Sequence, residues 1–224
     1  MVNLPGETDR SVSCGASGSG KTTGLKYILA PFYGTRQIIV LDTKMDPSYD
    51  KLDAVFVKRG DTLSRYADPE RYPLVIYRPN AQELNVETLD SVLDWCYRRG
   101  NNIVVIDEAS QVCGGSHNAG IGLLNAVTRG RVKGVSVFSG TQRPVGIPAV
   151  LFSEAEWVYC YALRRKNDRK TVDDYTKDGF ADAVLREAEK APNGHPVGVY
   201  RMGRGGRIYP SIQDALLDRR GYAV

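Results

Sequence analysis

Gly15-Ala16-Ser17-Gly18-Ser19-Gly20-Lys21-Thr22 reads G-x-x-x-x-G-K-T, and this octapeptide decides the fold. Gly15 and Gly20 admit a backbone path and a close approach that a side chain would block. The N–H groups from Gly15 to Gly20, continued by Lys21, Thr22 and Thr23, are set to wrap the phosphates of ATP at the positive end of a helix. Lys21 reaches the β- and γ-phosphates, and the Thr22 hydroxyl is a ligand for Mg2+. The flanks agree. Ser11-Val12-Ser13-Cys14 is β-prone, while Leu25, Ile28 and Leu29 recur at helical spacing, giving the strand, loop and helix that the motif requires.

Outward from the loop, apolar runs and helical stripes alternate. Gln37-Ile38-Ile39-Val40-Leu41 is a fully buried strand, and 54–57 and 74–77 are two more, bounded by Gly60, Pro73 and Pro79. Asn85 caps a helix whose stripe is Leu89, Val92, Leu93 and Cys96, closed by Arg98, Arg99 and Gly100. Strands follow at 103–106, at 135–138 running on toward Gln142, and at 156–161, with a helix through Ile121 and Leu124 leading to Arg129. Such alternation predicts an α/β, three-layer P-loop NTPase fold of the RecA/ASCE-like kind, with a mostly parallel central sheet. After Leu163 a polar stretch opens at Arg164-Arg165-Lys166. A helix at 181–191, stopped by Pro192, a hairpin about Gly203-Arg204-Gly205-Gly206 and a last helix capped by Ser211 complete the chain. We therefore expect an ATPase core at 1–163 and a small α/β extension at 164–224 packed on the same domain.

The chemistry-bearing residues sit where strands end. Asp107-Glu108 closes an apolar strand, and in parallel sheets the strand C-termini face the ligand crevice. Asp107 is suited to hold Mg2+ through its water shell, and Glu108 to orient and deprotonate an attacking water, which favours hydrolysis over transfer. The plainer reading of such a pair, two solvated loop acids, fits poorly after four β-branched residues. Gln142 offers an uncharged amide to the γ-phosphate or the lytic water, unless Pro144 merely marks a turn there. Arg129 and Arg131 either complement a helix end or reach a neighbouring subunit's nucleotide in a ring.

Composition bounds the rest. The 224 residues carry a net charge of +4, which permits a polyanionic partner without demanding one. Four cysteines with no C-x-x-C spacing predict buried thiols, and two histidines, His117 and His195, make a histidine metal centre improbable. No apolar run approaches the roughly 20 residues of a membrane span, and Met1 to Gly6 lacks a signal segment, so a cytoplasmic protein is expected.

Arg131-Val132-Lys133-Gly134-Val135 running into Gly140-Thr141-Gln142-Arg143-Pro144 resembles the FtsK–HerA superfamily of ring-forming ATPases, in which an R-x-x-G-[IV] turn precedes a strand ending in T-Q-R-P. Gly15 to Thr22 and Ile103 to Glu108 fit the first two motifs of that superfamily in order; the likeness spans about residues 10–162. Without membrane segments, a winged helix or an N-terminal barrel, the chain most resembles the genome-packaging ATPases of internal-membrane viruses with double jelly-roll capsids. The resemblance implies ATP- and magnesium-driven movement of double-stranded DNA into a preformed capsid by a usually hexameric homo-oligomeric ring. It also implies a vertex of capsid or membrane proteins as partner, and action at the virion's packaging vertex and in the host cytoplasm. Arg131 would then act in trans, with Arg129 as second candidate, and Gln142 would sense the γ-phosphate.

DNA contact itself is weakly written. Arg164, Arg165, Lys166, Arg169 and Lys170 form one basic cluster and Arg201, Arg204 and Arg207 another, while 114–120 offers a glycine-rich pore loop. Two other classes stay open: an ATPase of a secretion, conjugation or filamentous-phage export machine, and an ATP-binding switch without sustained turnover. Glu108 weighs against the switch and the lack of membrane segments against export.

Overall fold

The computed structural model describes residues 4–115, 118–191 and 193–218. The opening residues Met1 to Asn3, Ser116 and His117 of the glycine-rich segment, the helix stop Pro192 and residues 219–224 lie outside the described residues. In chain order the elements are β1 (Ser11–Cys14), α1 (Lys21–Leu29), β2 (Gln37–Leu41), β3 (Val55–Phe56), β4 (Leu74–Tyr77), α2 (Val86–Arg99) and β5 (Asn102–Ile106). Then come α3 (Ala109–Val112), α4 (Ile121–Arg129), β6 (Val135–Thr141), α5 (Ala149–Ser153) and β7 (Trp157–Cys160). The last described elements are α6 (Lys166–Tyr175), α7 (Phe180–Lys190), β8 (Val197–Arg201), β9 (Gly205–Tyr209) and α8 (Ile212–Leu217).

Among the described residues nine strands form one sheet in the order β3-β4-β2-β5-β6-β1-β7-β8-β9. The seven strands from β3 to β7 run parallel, and β8 and β9 add an antiparallel hairpin beyond β7. The inner strands β1, β2, β5 and β6 are buried along their whole length, as a sheet covered on both faces requires. One apolar layer joins Leu25, Ile28, Phe138, Tyr159 and Ile212 beneath α1 and α8. The other joins Leu89, Leu93, Leu123, Phe152, Val172 and Val184 beneath α2, α4, α5, α6 and α7. Each fully buried Leu or Phe contributes about 1.5–3 kcal/mol, so the two layers hold the sheet rigid between them.

Local chemistry sets the ends of α2: Asn85 Oδ1 accepts from Thr88 N at 2.9 Å, and Gly100 leaves the helix at φ 72°. Two expectations change. The strand expected at 54–57 is only Val55–Phe56, and the polar stretch after Leu163 contains the helix α6. All four cysteines are free and buried, and burial pushes Cys96 and Cys113 up to about 12, which keeps both as thiols at neutral pH.

Candidate active site

The order of the sheet assembles the site. β6 lies between β1, which leads into the phosphate loop, and β5, which ends at Asp107-Glu108. Three strand ends therefore meet at one edge. The loop is anchored from below, because Gly15 N donates to Thr141 O at 3.1 Å and Ala16 N to Ala162 O at 3.0 Å. These two amides frame the cradle and are already spent on the protein. Ser17, Gly18 and Gly20 donate to no backbone carbonyl among the described residues. Gly20, at φ 91°, turns the chain into α1 and is followed by the unpaired first amides of that helix. Above the loop is a cavity of about 350 Å³ lined by Gly18, Lys21, Thr22, Lys44, Gln142 and His195, among others.

Lys21 is buried, and its Nζ donates to the carbonyl of Asp107 at 3.1 Å. Burial lowers its pKa, with the Asp107 charge opposing. That contact needs Gly140 opposite: a Cβ there would sit 2.6 Å from Asp107 O and 3.1 Å from Lys21 Nζ. Thr22 Oγ1 donates to Asp107 Oδ1 at 3.3 Å, and the buried Tyr49 hydroxyl donates to the same atom at 3.4 Å. Asp107 Oδ2 is buried and has no hydrogen-bond partner among the described residues. Burial raises the Asp107 carboxyl above its usual range, against the pull of Lys21 and Lys44. An orphaned carboxylate oxygen beside a threonine hydroxyl is the donor set that a hydrated hard cation takes, so the residues fit Mg2+.

Glu108 is 3% exposed and surrounded by donors. Its Oε1 accepts from Ser110 Oγ at 2.8 Å, Thr141 Oγ1 at 3.0 Å and the backbone N of Gln142 at 3.2 Å. Its Oε2 accepts from Lys44 Nζ and again from Gln142 N, at 3.3 Å. Burial would raise this carboxyl, but the hydrogen bond and charge of Lys44, helped by Ser110 and Lys21, hold it below the usual carboxylate range. Lys44 escaped the sequence reading: it lies in the loop after β2, outside any motif. The run Leu41-Asp42-Thr43-Lys44, a buried strand ending in an acid and a base, was the available signal.

Gln142 lines the cavity above the loop and donates its backbone amide to Glu108. Arg129 and Arg131 are not brought to this edge. They are exposed and precede β6, whose seven residues span about 20 Å, so they stand at the opposite edge of the sheet. Arg131 forms ion pairs with Glu156 and, at 4.0 Å, with Asp9 of its own chain.

A second cavity, of about 400 Å³, continues from the loop beneath the C-terminal segment, lined by Ala16, Ser17, Arg164, Leu185, Glu189 and His195, among others. The basic clusters are thinner than the sequence implied. Arg169 is committed to Asp182 and to the carbonyls of Leu163 and Arg164, leaving Arg164, Arg165, Lys166 and Lys170 exposed. In the hairpin, Arg201 lies over the Trp157 ring and Arg207 pairs with Asp218; Arg204 is exposed.

No family model matches the chain. In sequence it is 24% identical over 192 residues to the DNA packaging ATPase P9 of Enterobacteria phage PRD1, covering 85% of this chain and 78% of that protein. In structure it matches the genome packaging NTPase B204 of Sulfolobus turreted icosahedral virus 2, solved with ATP-gammaS, at a TM-score of 0.72 and 17% identity, over 93% of this chain and 100% of that one. The pCW3 conjugation coupling protein TcpA, solved with ATPgS, matches at 0.57 and 13% identity, over 93% of this chain and 60% of that one. At these identities the structural likenesses speak for the fold. The chain has the P-loop NTPase fold and is similar to the genome-packaging ATPases of the FtsK–HerA-like group.

Proposed function

We propose that this chain is an ATPase that hydrolyses ATP with Mg2+ and uses the energy to move double-stranded DNA into a preformed viral capsid. The observation that carries the reading is the convergence of Lys21, Thr22, Asp107, Glu108 and Gln142 at one sheet edge, in a chain similar over most of its length to the packaging ATPase P9. Mg2+, when bound, would supply charge neutralisation for the triphosphate. Thr22 and Asp107 would hold it, Lys21 and the amides of Ser17, Gly18 and Gly20 to Thr23 hold the phosphates, and Gly15, Ala16 and Ser19, whose amides are spent within the protein, frame them. Glu108 accepts the proton of the attacking water, and the Gln142 amide reports the γ-phosphate. The second cavity seats base and ribose, so that the extension at 164–224 closes over the nucleotide bound to the core at 1–163.

In this reading the working form is a homo-oligomeric ring, of six copies by analogy with the group, docked on capsid or membrane proteins of the packaging vertex and active in the host cytoplasm. Among the described residues no helix is long and apolar enough to cross a membrane. Arg131, or Arg129 beside it, serves the nucleotide of the neighbouring copy. The exposed cations Arg164, Arg165, Lys166 and Lys170 contribute sequence-independent phosphate contacts.

The test is hydrolysis measured with and without double-stranded DNA. We expect DNA of any sequence to raise the rate, and the stimulation to fade as salt rises. Turnover indifferent to DNA, yet raised by a protein cargo, would move the assignment to an export machine. Triphosphate binding without turnover would make the chain a switch.

A further inference from the structure

The Glu108 carboxylate has two oxygens and about four acceptor directions, and five donor contacts fill them. A base so occupied has no lone pair left for water. Four of the contacts come from Ser110 in α3, Thr141 at the end of β6 and the backbone amide of Gln142 just after it, all short-range donors of the fold itself. The fifth comes from Lys44, the one contact here made by a long, charged and partly exposed side chain, 30% exposed where Glu108 is 3%. Lys44 also lines the phosphate cavity with Lys21, Thr22 and Gln142.

The turn that carries Lys44 is over-determined. Asp46 N donates to Asp42 Oδ1 at 3.0 Å, and Arg78 ties Asp42 Oδ2 at 2.6 Å and the carbonyl of Asp46 at 2.8 Å. Met45, next to Lys44, is held at φ 54°, a region that a non-glycine residue occupies only when its surroundings impose it. The backbone is thus fixed, and the Lys44 side chain meets both Glu108 and the cavity above the loop.

We propose that Lys44 is a triphosphate-sensing residue with two seats, one on the Glu108 carboxylate and one on the γ-phosphate of a bound triphosphate, so that taking the second frees the base. A diphosphate offers no second seat, and Glu108 stays held after hydrolysis. This rests on the nucleotide site proposed above, and adds to it a link between nucleotide identity and availability of the base.

The test is equilibrium binding of AMPPCP and of ADP, each with Mg2+, to the full chain. Both should bind the unaltered protein; if neither does, it is the nucleotide site that fails. Lys44→Met should weaken AMPPCP by about tenfold or more, the effect of losing one charge-assisted contact, while ADP moves by less than about twofold. Lys44→Arg should restore much of the difference, and Lys44→Gln should behave as Lys44→Met does. Glu108→Gln, which removes the competing seat, should tighten AMPPCP in the Lys44 background and do so much less in Lys44→Met. Equal losses for both nucleotides, no loss for either, or the same tightening by Glu108→Gln in both backgrounds would each overturn the proposal.

Discussion

Asp107 and Glu108 are neighbours in sequence with opposite environments, and the difference lies in their partners. Among the described residues Asp107 keeps one buried oxygen without a partner, whereas every acceptor direction of Glu108 is filled. A carboxylate open to a cation and one held ionised until a base is required are what hydrolysis of a triphosphate calls for. Glu108→Gln should therefore lower the ATP turnover rate by roughly 10²–10⁴, the usual worth of a general base, with nucleotide still bound. Steady-state phosphate release beside a binding titration checks it. Thr22→Ala should raise the Mg2+ concentration needed for half-maximal turnover, since a hydroxyl beside the orphaned Asp107 oxygen is lost. These residues were legible because each belongs to a motif of adjacent positions. Lys44 was not, because its partner lies 64 residues away and only the pairing of β2 with β5 brings the two strand ends together.

Elements were read correctly where their own sequence determines them. The stripe and caps of α2 are local, as are the apolar runs of β1, β2 and β4. α6 was missed because its buried residues are only Asp168 and Val172, too few to form a stripe. Tertiary contacts hold it: Arg143 reaches Asp168 at 3.1 Å, and Arg169 pairs with Asp182 of α7. The start of α4 has the same character. Gly120 caps nothing with a side chain, and Asp90 of α2 instead accepts from Gly122 N at 2.9 Å and Leu123 N at 2.8 Å. A carboxylate on the first-turn amides of another helix pins the two together and meets the positive end of the dipole. Asp90→Ala should cost about 1–2 kcal/mol in urea unfolding, with activity falling only as the folded fraction falls. Gly140→Ala in β6 is the contrasting case. Its Cβ would meet Asp107 O and crowd Lys21, so stability should drop by about 1–3 kcal/mol and nucleotide affinity should fall with it.

At the scale of the whole molecule, the parallel sheet separates two chemistries by its own length. The cavity above the glycine loop lies at the C-terminal edge of the strands. Arg129 and Arg131 stand before β6 at the other edge, about 20 Å away by strand rise, beyond the reach of any side chain. If either arginine stabilises a phosphate, the phosphate belongs to another copy, and a ring of head-to-tail contacts is the arrangement that supplies one. Within a single chain Arg131 is instead satisfied by Glu156 and Asp9, so assembly has to exchange that pairing for the nucleotide of a neighbour. Arg131→Ala and Lys21→Ala should each abolish DNA-stimulated turnover alone. Mixed, the two variants form some boundaries that join an intact phosphate loop to an intact arginine, and activity should return at those boundaries. The same mixture made with Arg129→Ala distinguishes the two candidates, because only the arginine that crosses the boundary is rescued by a partner lacking Lys21. Mixtures that stay inactive with both arginine variants, under conditions where the chains assemble on DNA, would confine the chemistry to one chain and leave Arg131 as a brace for Glu156.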